Sequence, residues 1–207
     1  TDVSAVIALC LGTSVALLVR IPNREETSET RNKPAVRSAP SLSMNRTVKL
    51  KSFWFLWFVW AFAGASGISM IVLSSAVGRH LGYGISSFVY ILIGFNVMNG
   101  IGRLVCGRLS DSFSKQKILA VCFVISGCAY LLMCVVKNLA GVSVLSALVG
   151  LSFGAMFTVS APLVSHCFGL ENFGRVFGLV FTAYGFVAGI LGPWVSGMML
   201  DRTHGNF

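Results

Sequence analysis

The sequence predicts an all-α membrane protein, a bundle of six spanning helices. Of its 207 residues, 55% are hydrophobic and only 11% are charged, and the mean hydropathy is +0.80. No soluble domain of this size needs so apolar a composition for its core. The apolar residues form continuous runs, each near the roughly 20 residues that cross the hydrocarbon core of a bilayer. Barrel strands would alternate in segments of about 10 residues, so helices are favoured.

The predicted spans follow these apolar runs in order. A long polar segment comes after the first span, whereas every later connection is short. We therefore expect the last five spans to form one compact bundle. The runs cover residues 3–19, 53–78, 84–102, 118–136, 139–165 and 176–200.

The polar segment at 21–52 divides the chain into two parts. It contains three prolines, clustered Ser and Thr and mixed charge, without a helical apolar period, which predicts a flexible cytoplasmic linker. Residues 1–20 then form one spanning helix, and residues 53–207 form the bundle. The basic end of the linker is a candidate contact for anionic membrane lipid, and a plain solvated linker is the alternative.

Basic residues are shared unequally between the two sides of the predicted bundle. The formal net charge is +9, but the segments at 20–52, 103–117 and 165–175 hold eight, four and one of the sixteen Lys and Arg residues. This distribution is typical of cytoplasmic loops and not of a nucleic-acid-binding surface, so no nucleic-acid partner is predicted. The first span then enters from outside, and we expect further spans to precede it.

A conserved type of loop motif is found after the third predicted span. Residues 107–117 read GRLSDSFSKQK, which resembles the G-x-L-[AS]-D-x-x-G-[RK]-x-[RK] signature of the major facilitator superfamily, in the copy between helices eight and nine. The motif departs from the signature at positions 112 and 114, which are both Ser. The resemblance implies a twelve-helix fold in which the six spans are helices six to eleven, and the missing N-terminal half of the same chain is the structural partner.

Each residue of this signature has a physical role in a loop that gates transport. Gly107 allows a neighbouring helix to come close, and Asp111 can face the positive N-terminus of a helix. Lys115 and Lys117 hold the loop on the cytoplasmic side. A polar loop with topology-setting basic residues is the alternative interpretation.

Three further stretches resemble one branch of the superfamily, the oxalate/formate antiporters and monocarboxylate transporters. They are NGIGR at 99–103, ENFGRVFGLVFTAYG at 171–185 and Gly192-Pro193. The resemblance implies that Arg103 binds a substrate carboxylate. The oxalate transporters carry Lys within T-A-K-G where this chain has Tyr184, so the second cation is absent and a monocarboxylate is favoured over a dianion.

The residues themselves also single out Arg103. Asn96, Asn99 and Arg103 recur at i, i+3 and i+7 and share one helix face, as expected of a stripe lining a water-filled cavity. If Asp111 marks the hydrocarbon edge, Arg103 lies within a few Å of the midplane; centring the apolar run instead places it roughly 8 Å away. An Arg in mid-bilayer costs at least ~2.5 kcal/mol. Snorkelling to the cytoplasmic head groups is the alternative to a substrate-binding role.

Two patterns favour ordinary membrane packing. Trp54, Trp57 and Trp60 stand at the start of the second span and are interpreted as an interfacial belt. Pairs of glycines at GxxxG spacing predict close helix contacts. The pairs are Gly150 and Gly154, Gly174 and Gly178, and Gly185 and Gly189.

An intramembrane enzyme is the main rival to a transporter. Residues 64–67 read GASG, which is similar to the GxSG motif of rhomboid-type serine proteases. Ser66 would need a base, and His80, His166 and His204 all fall outside the predicted spans. The six cysteines form no CxxC pair. We therefore predict no catalytic residue, no metal site and no cofactor.

The prediction from these patterns is a secondary transporter of a small organic anion such as a monocarboxylate, working by alternating access. A superfamily transporter of another small solute is the alternative. Proton-moving monocarboxylate transporters resemble this chain at Arg103 but carry Asp where Asn99 stands. All seven acidic residues lie in predicted connections or at ends, so a proton site is expected in the other half, or the protein exchanges anions.

Overall fold

The computed structural model describes residues 44–80 and 87–202, and within them every regular element is helical. The first predicted span, residues 21–43 of the predicted linker and His204 lie outside the described residues. The elements are α1 Met44–Thr47, α2 Lys51–His80, α3 Ser87–Ser112, α4 Lys115–Met133, α5 Leu139–Phe168, α6 Phe173–Thr182, the π-helical segment π1 Ala183–Ala188, and α7 Gly189–Arg202.

Within residues 44–80 and 87–202, five helical crossings are long and apolar enough to span a membrane. Four of them are α2, α3, α4 and α5, and the fifth is the continuous helix made by α6, π1 and α7. Each is at least 19 residues long and apolar on average, as a bilayer requires. These five match the five spans predicted after the linker and confirm the all-α fold.

The predicted end of the third span at residue 102 is wrong. α3 continues to Ser112, because the stretch after Arg103 contains no proline and charged side chains do not interrupt the backbone hydrogen bonds of a helix. Gly107 and Asp111 therefore lie on a helix and not in a loop. Only Phe113 and Ser114 connect α3 to α4, yet both helices pack mainly against α5 and make few contacts with each other.

The centre of the bundle is the contact between α3 and α5. A side chain added at Gly150 would meet the carbonyl oxygen of Phe95, and one added at Gly154 would meet the carbonyl oxygen of Asn99. Across the same contact, Gly102 of α3 lies against the backbone of Leu151. The backbones approach this closely because each of these glycines faces the backbone of the other helix, so one of the three predicted glycine pairs packs as expected.

The other two predicted glycine pairs do not make close contacts within the described part of the chain. The space around Gly174, Gly178 and Gly185 is open to 4 Å, and Gly189 approaches only the carbonyl of Tyr184 at 3.5 Å. GxxxG spacing predicts a small face on a helix but does not specify a partner for it.

The fifth crossing is irregular at its centre. In π1, the Gly189 N–H donates to the carbonyl of Tyr184, five residues back. Pro193 in α7 lacks an N–H and so leaves a carbonyl one turn earlier without its usual donor. Side chains of α2 bond to this crossing on both sides of π1. Trp57 Nε1 donates to Thr182 Oγ1 at 3.3 Å, and Ser69 Oγ donates to the Gly192 carbonyl at 3.2 Å.

Candidate functional site

Arg103 lies near the middle of α3 with its guanidinium exposed. The spanning part of α3 is Phe88–Ser112, 25 residues long, so Arg103 stands three residues from its midpoint, roughly 5 Å along the axis. Its Nε donates to Asn99 Oδ1 at 3.3 Å. Its guanidinium carbon lies 4.9 Å from the centroid of the Phe157 ring, within the range of a cation–π interaction. The side chain is therefore held at the depth of its own helix position.

The α3–α5 contact explains why Arg103 meets Phe157. The carbonyl of Asn99 lies against Gly154, and Phe157 follows Gly154 by almost one turn of α5. The backbone contact therefore brings the aromatic ring to the helix face that carries Asn99 and Arg103. Asn96, one turn away on α3, donates instead to the Leu92 carbonyl of its own helix at 2.9 Å.

Tyr184 reaches the same place from π1. Its ring centroid lies 5.3 Å from that of Phe157, the ring that also contacts the Arg103 guanidinium. A side chain at Gly64 of α2 would lie 2.8 Å from the Tyr184 ring, so the glycine makes room for the ring. Residues from α3, α5 and π1, far apart in sequence, thus converge on one position.

Aromatic rings form one wall of this position. We call Trp60, Phe157, Phe177, Phe181 and Tyr184 the aromatic cluster. The Trp60 centroid lies 5.0 Å from that of Phe157 and 5.1 Å from that of Phe181. Most of these rings meet edge to face, an arrangement that stabilises aromatic pairs.

The interfacial-belt interpretation is wrong for Trp60. Its exposed fraction is 0%, and its buried Nε1 has no hydrogen-bond partner among the described residues. Trp54, by contrast, is 45% exposed and donates to the Val48 carbonyl before α2 at 2.9 Å. Sequence reasoning missed the aromatic cluster, although Phe177, Phe181 and Tyr184 recur at i, i+4 and i+7, a helical spacing that could have indicated it.

The signature residues lie where α3 passes into α4. Gly107 faces α5, because a side chain added there would come within 3.0 Å of Thr158. Lys115 Nζ donates to the Ser110 carbonyl at 3.3 Å and so closes the short connection. Asp111 and Lys117 are exposed. In residues 44–80 and 87–202, Asp111 makes no hydrogen bond or ion pair, so its predicted contact with a helix N-terminus is not observed there.

No arrangement for intramembrane proteolysis surrounds Ser66 in the described part of the chain. The Ser66 carbonyl accepts a hydrogen bond from Tyr130 Oη at 2.6 Å. His80 is the last residue of α2 and His166 is in the last turn of α5, so their predicted placement in connections is wrong, although both stand at helix ends. Across the described residues, no three His, Cys, Asp or Glu side chains are close enough to hold a metal ion.

Comparison with known proteins identifies the family. Residues 3–193 match the profile of the Major Facilitator Superfamily. The chain belongs to the major facilitator superfamily. This membership confirms the superfamily indicated by residues 107–117, and it counts against the rhomboid-like alternative.

The chain is also similar to three curated proteins that are named as transporters or efflux proteins. It is 27% identical over 146 residues to "Uncharacterized MFS-type transporter YhjX" of Escherichia coli K12, covering 69% of this chain and 36% of that protein. It is 26% identical over 131 residues to an "MFS-type transporter" of Gibberella moniliformis, covering 63% and 31%. Identity to "Agnestins efflux protein AgnL12" of Paecilomyces divaricatus is 26% over 111 residues, covering 54% and 25%. The chain therefore spans about a third or less of the length of these relatives.

Proposed function

We propose that the intact protein is a secondary active transporter that binds a small organic anion, a monocarboxylate, at Arg103 and moves it by alternating access. The observation that carries this proposal is the exposed guanidinium near the middle of α3. No acidic side chain among the described residues pairs with it, since Asn99 and Phe157 are both neutral. A cation at this depth calls for an anionic partner, and a substrate carboxylate supplies one.

The contacts of Arg103 leave its anion-binding edge available. Nε bonds to Asn99 and Phe157 covers one face of the guanidinium. The two terminal nitrogens have no other partner among the described residues. A carboxylate could accept one hydrogen bond from each of them, the bidentate geometry that makes Arg–carboxylate pairs strong.

The surroundings of Arg103 favour one carboxylate on an apolar body. Tyr184 offers a neutral phenol where the resembling oxalate transporters place a Lys, so a second negative charge would find no partner here. The aromatic cluster offers an apolar wall beside the charge. This combination supports the monocarboxylate side of the oxalate/formate and monocarboxylate branch.

The proposal requires the other half of the transporter. Superfamily transporters bind their substrates near the midplane, between the two halves. Arg103 is exposed in the described residues, and the chain covers only part of its relatives. We therefore propose that the N-terminal half closes the opposite wall of the site.

The decisive experiment compares substitutions of Arg103 in the intact protein. Uptake of a labelled monocarboxylate should fall to background in Arg103→Ala. In Arg103→Lys it should fall about tenfold or more, because Lys keeps the charge but loses the bidentate geometry. Surface expression is measured in parallel. Arg108→Lys is the matched control, an exposed Arg on the same helix, and should transport normally.

Near-normal uptake in Arg103→Lys would contradict the binding role, because a snorkelling Lys replaces a snorkelling Arg.

A second candidate is transport of another small solute, one without a carboxylate, and the aromatic cluster is the observation that favours it. Competition separates the two candidates. An amide analogue of the monocarboxylate should compete poorly if Arg103 binds the anion, and equally well if the aromatic rings alone bind the solute.

A further inference from the structure

A small, partly open cavity lies between α2, α4 and α5. Its lining includes the hydroxyl-bearing residues Ser66, Ser126 and Ser152, one from each helix, and the ring of Phe153. It offers ≈ 20 Å³ to the centre of a water molecule, and roughly 10–15 Å³ is enough to hold one. The cavity is therefore large enough for a single water and too small for an organic substrate.

The polar groups that line this cavity are incompletely satisfied. The Ser152 hydroxyl donates to the Cys122 carbonyl at 2.6 Å and lies 3.1 Å from the Leu148 carbonyl, so its oxygen lone pairs remain available. The hydroxyls of Ser66 and Ser126 have no hydrogen-bond partner in the described part of the chain, although Ser126 is only 7% exposed. A buried hydroxyl left unpaired costs about 1–3 kcal/mol.

We infer that this cavity binds one ordered water molecule that joins α2, α4 and α5. The water accepts a hydrogen bond from the Ser66 hydroxyl and one from the Ser126 hydroxyl. It donates one to the oxygen of Ser152, whose own proton is already directed at a carbonyl. Three hydrogen bonds are the usual number for a buried water.

The lining excludes an ion in this position. No Asp, Glu, Lys, Arg or His borders the cavity, so a bound ion would have no charge partner inside the membrane, where an unpaired charge is costly. An empty cavity is the other alternative, and empty cavities in proteins are lined by apolar groups. This cavity is lined by three hydroxyl groups, so we do not expect it to be empty.

The experiment is a double-mutant cycle on the thermal unfolding of the intact protein in detergent. Ser126→Ala should lower Tm by about 2–4 °C, because a water-bonded hydroxyl contributes about as much as a direct hydrogen bond. Ser66→Ala should behave similarly. The double variant should lose clearly less than the sum of the two, since the shared water has already gone after the first change.

The matched control is Ser143→Ala on α5. The Ser143 hydroxyl is also buried and without a partner among the described residues, but it does not border the cavity. Removing an unsatisfied hydroxyl should leave Tm unchanged or raise it. A Ser126→Ala variant that behaves like Ser143→Ala, or strict additivity in the cycle, would overturn the inference.

A high-resolution structure of the wild-type protein provides the direct readout. A density peak within hydrogen-bond distance of Ser66, Ser126 and Ser152 is expected, and the peak should be absent in the double variant. The absence of a density peak at this position in the wild-type structure would also overturn the inference.

Discussion

The two sides of the Arg103 site are built in different ways. α3 and α5 meet backbone to backbone, because Gly150 and Gly154 lie against carbonyl oxygens of α3. The fifth crossing, α6–π1–α7, makes one such contact with α2 in the described residues, where Gly192 lies against the Ala65 backbone, and side-chain hydrogen bonds from α2 reach Thr182 and Gly192. Of the glycines at GxxxG spacing on this crossing, Gly174, Gly178 and Gly185 meet nothing within 4 Å in the described residues, and Gly189 approaches only the carbonyl of Tyr184 in its own helix.

This difference indicates which contacts determine the positions of Arg103 and Tyr184. Arg103 stands on a helix whose position is set by a tight backbone contact, so small changes in that contact should displace the cation. Tyr184 stands on a π-helical segment, a kind of irregularity found frequently at functional sites. We therefore expect changes near α3–α5 to act on folding, and changes on the fifth crossing to act on substrate preference.

The largest effect is expected at the tightest contact. Gly154→Val places a branched side chain against the Asn99 carbonyl, and such overpacking should lower Tm by roughly 10 °C and reduce the amount of protein at the surface. Gly178→Val is the matched control, since its surroundings among the described residues are open. Thermal unfolding in detergent measures Tm for both variants. Equal Tm values for Gly154→Val and Gly178→Val would contradict the difference between the two regions.

A charge introduced beside Arg103 should have the next largest effect. Asn99→Asp would pair with the guanidinium that Asn99 now contacts at 3.3 Å, so the new carboxylate competes with the substrate and uptake should fall about tenfold. Protonation makes Asp neutral like Asn, so uptake by this variant should recover as the pH falls through the titration range of the carboxyl.

The control for this prediction is Asn96→Asp. Asn96 bonds to the carbonyl of Leu92 and not to Arg103, so the same substitution one turn away should reduce uptake less and with a weaker pH dependence. Initial uptake rates across a pH series test both variants. Equal pH profiles would show that the contact between Asn99 and Arg103 is not the cause.

The sequence was sufficient for the features that depend on one segment at a time. Five apolar runs predicted five crossings, and helical spacing put Asn99 and Arg103 on one face of α3, where the structure joins them by a hydrogen bond. The charge-free run that defined the third span ended at residue 102, and the residues of the loop signature were expected in a loop, whereas α3 continues to Ser112. A helix can carry Arg103 and Asp111 without ending, since charge alone does not break the backbone hydrogen-bond pattern.

The features that depend on two segments were not predictable from the sequence. The position of Phe157 under Arg103 follows from the packing of α3 on α5, and a single sequence does not specify which helices pack together. Trp60 shows the same limit, because its spacing from Trp54 and Trp57 fits an interfacial belt equally well. Its burial becomes evident only when α6 and π1 pack over it.

A more moderate effect is expected from restoring the second cation on the fifth crossing. Tyr184→Lys would place an ammonium on the side of Phe157 that Tyr184 now contacts, beside the ring that also contacts Arg103, so the ratio of dicarboxylate to monocarboxylate uptake should rise severalfold, by up to about tenfold. Tyr184→Phe removes only the hydroxyl and should leave this ratio nearly unchanged. Competition of labelled uptake by mono- and dicarboxylates measures the ratio, and an unchanged ratio in Tyr184→Lys would argue against a role of residue 184 in substrate choice.

The smallest effect is expected at the open glycines of α6. Gly178 lies inside the helix with no atom near the place of an added side chain in the described residues. Replacing glycine by alanine inside a helix gains up to about 1 kcal/mol, so Gly178→Ala should raise Tm by about 1–3 °C. Gly154→Ala, at the same type of position on α5, should lower it. If Gly178→Ala also lowers Tm in the intact protein, another part of the transporter packs closely against this face. The glycines of α5 and those of α6 would then both be packing surfaces, and they would differ only in which segment of the protein packs against them.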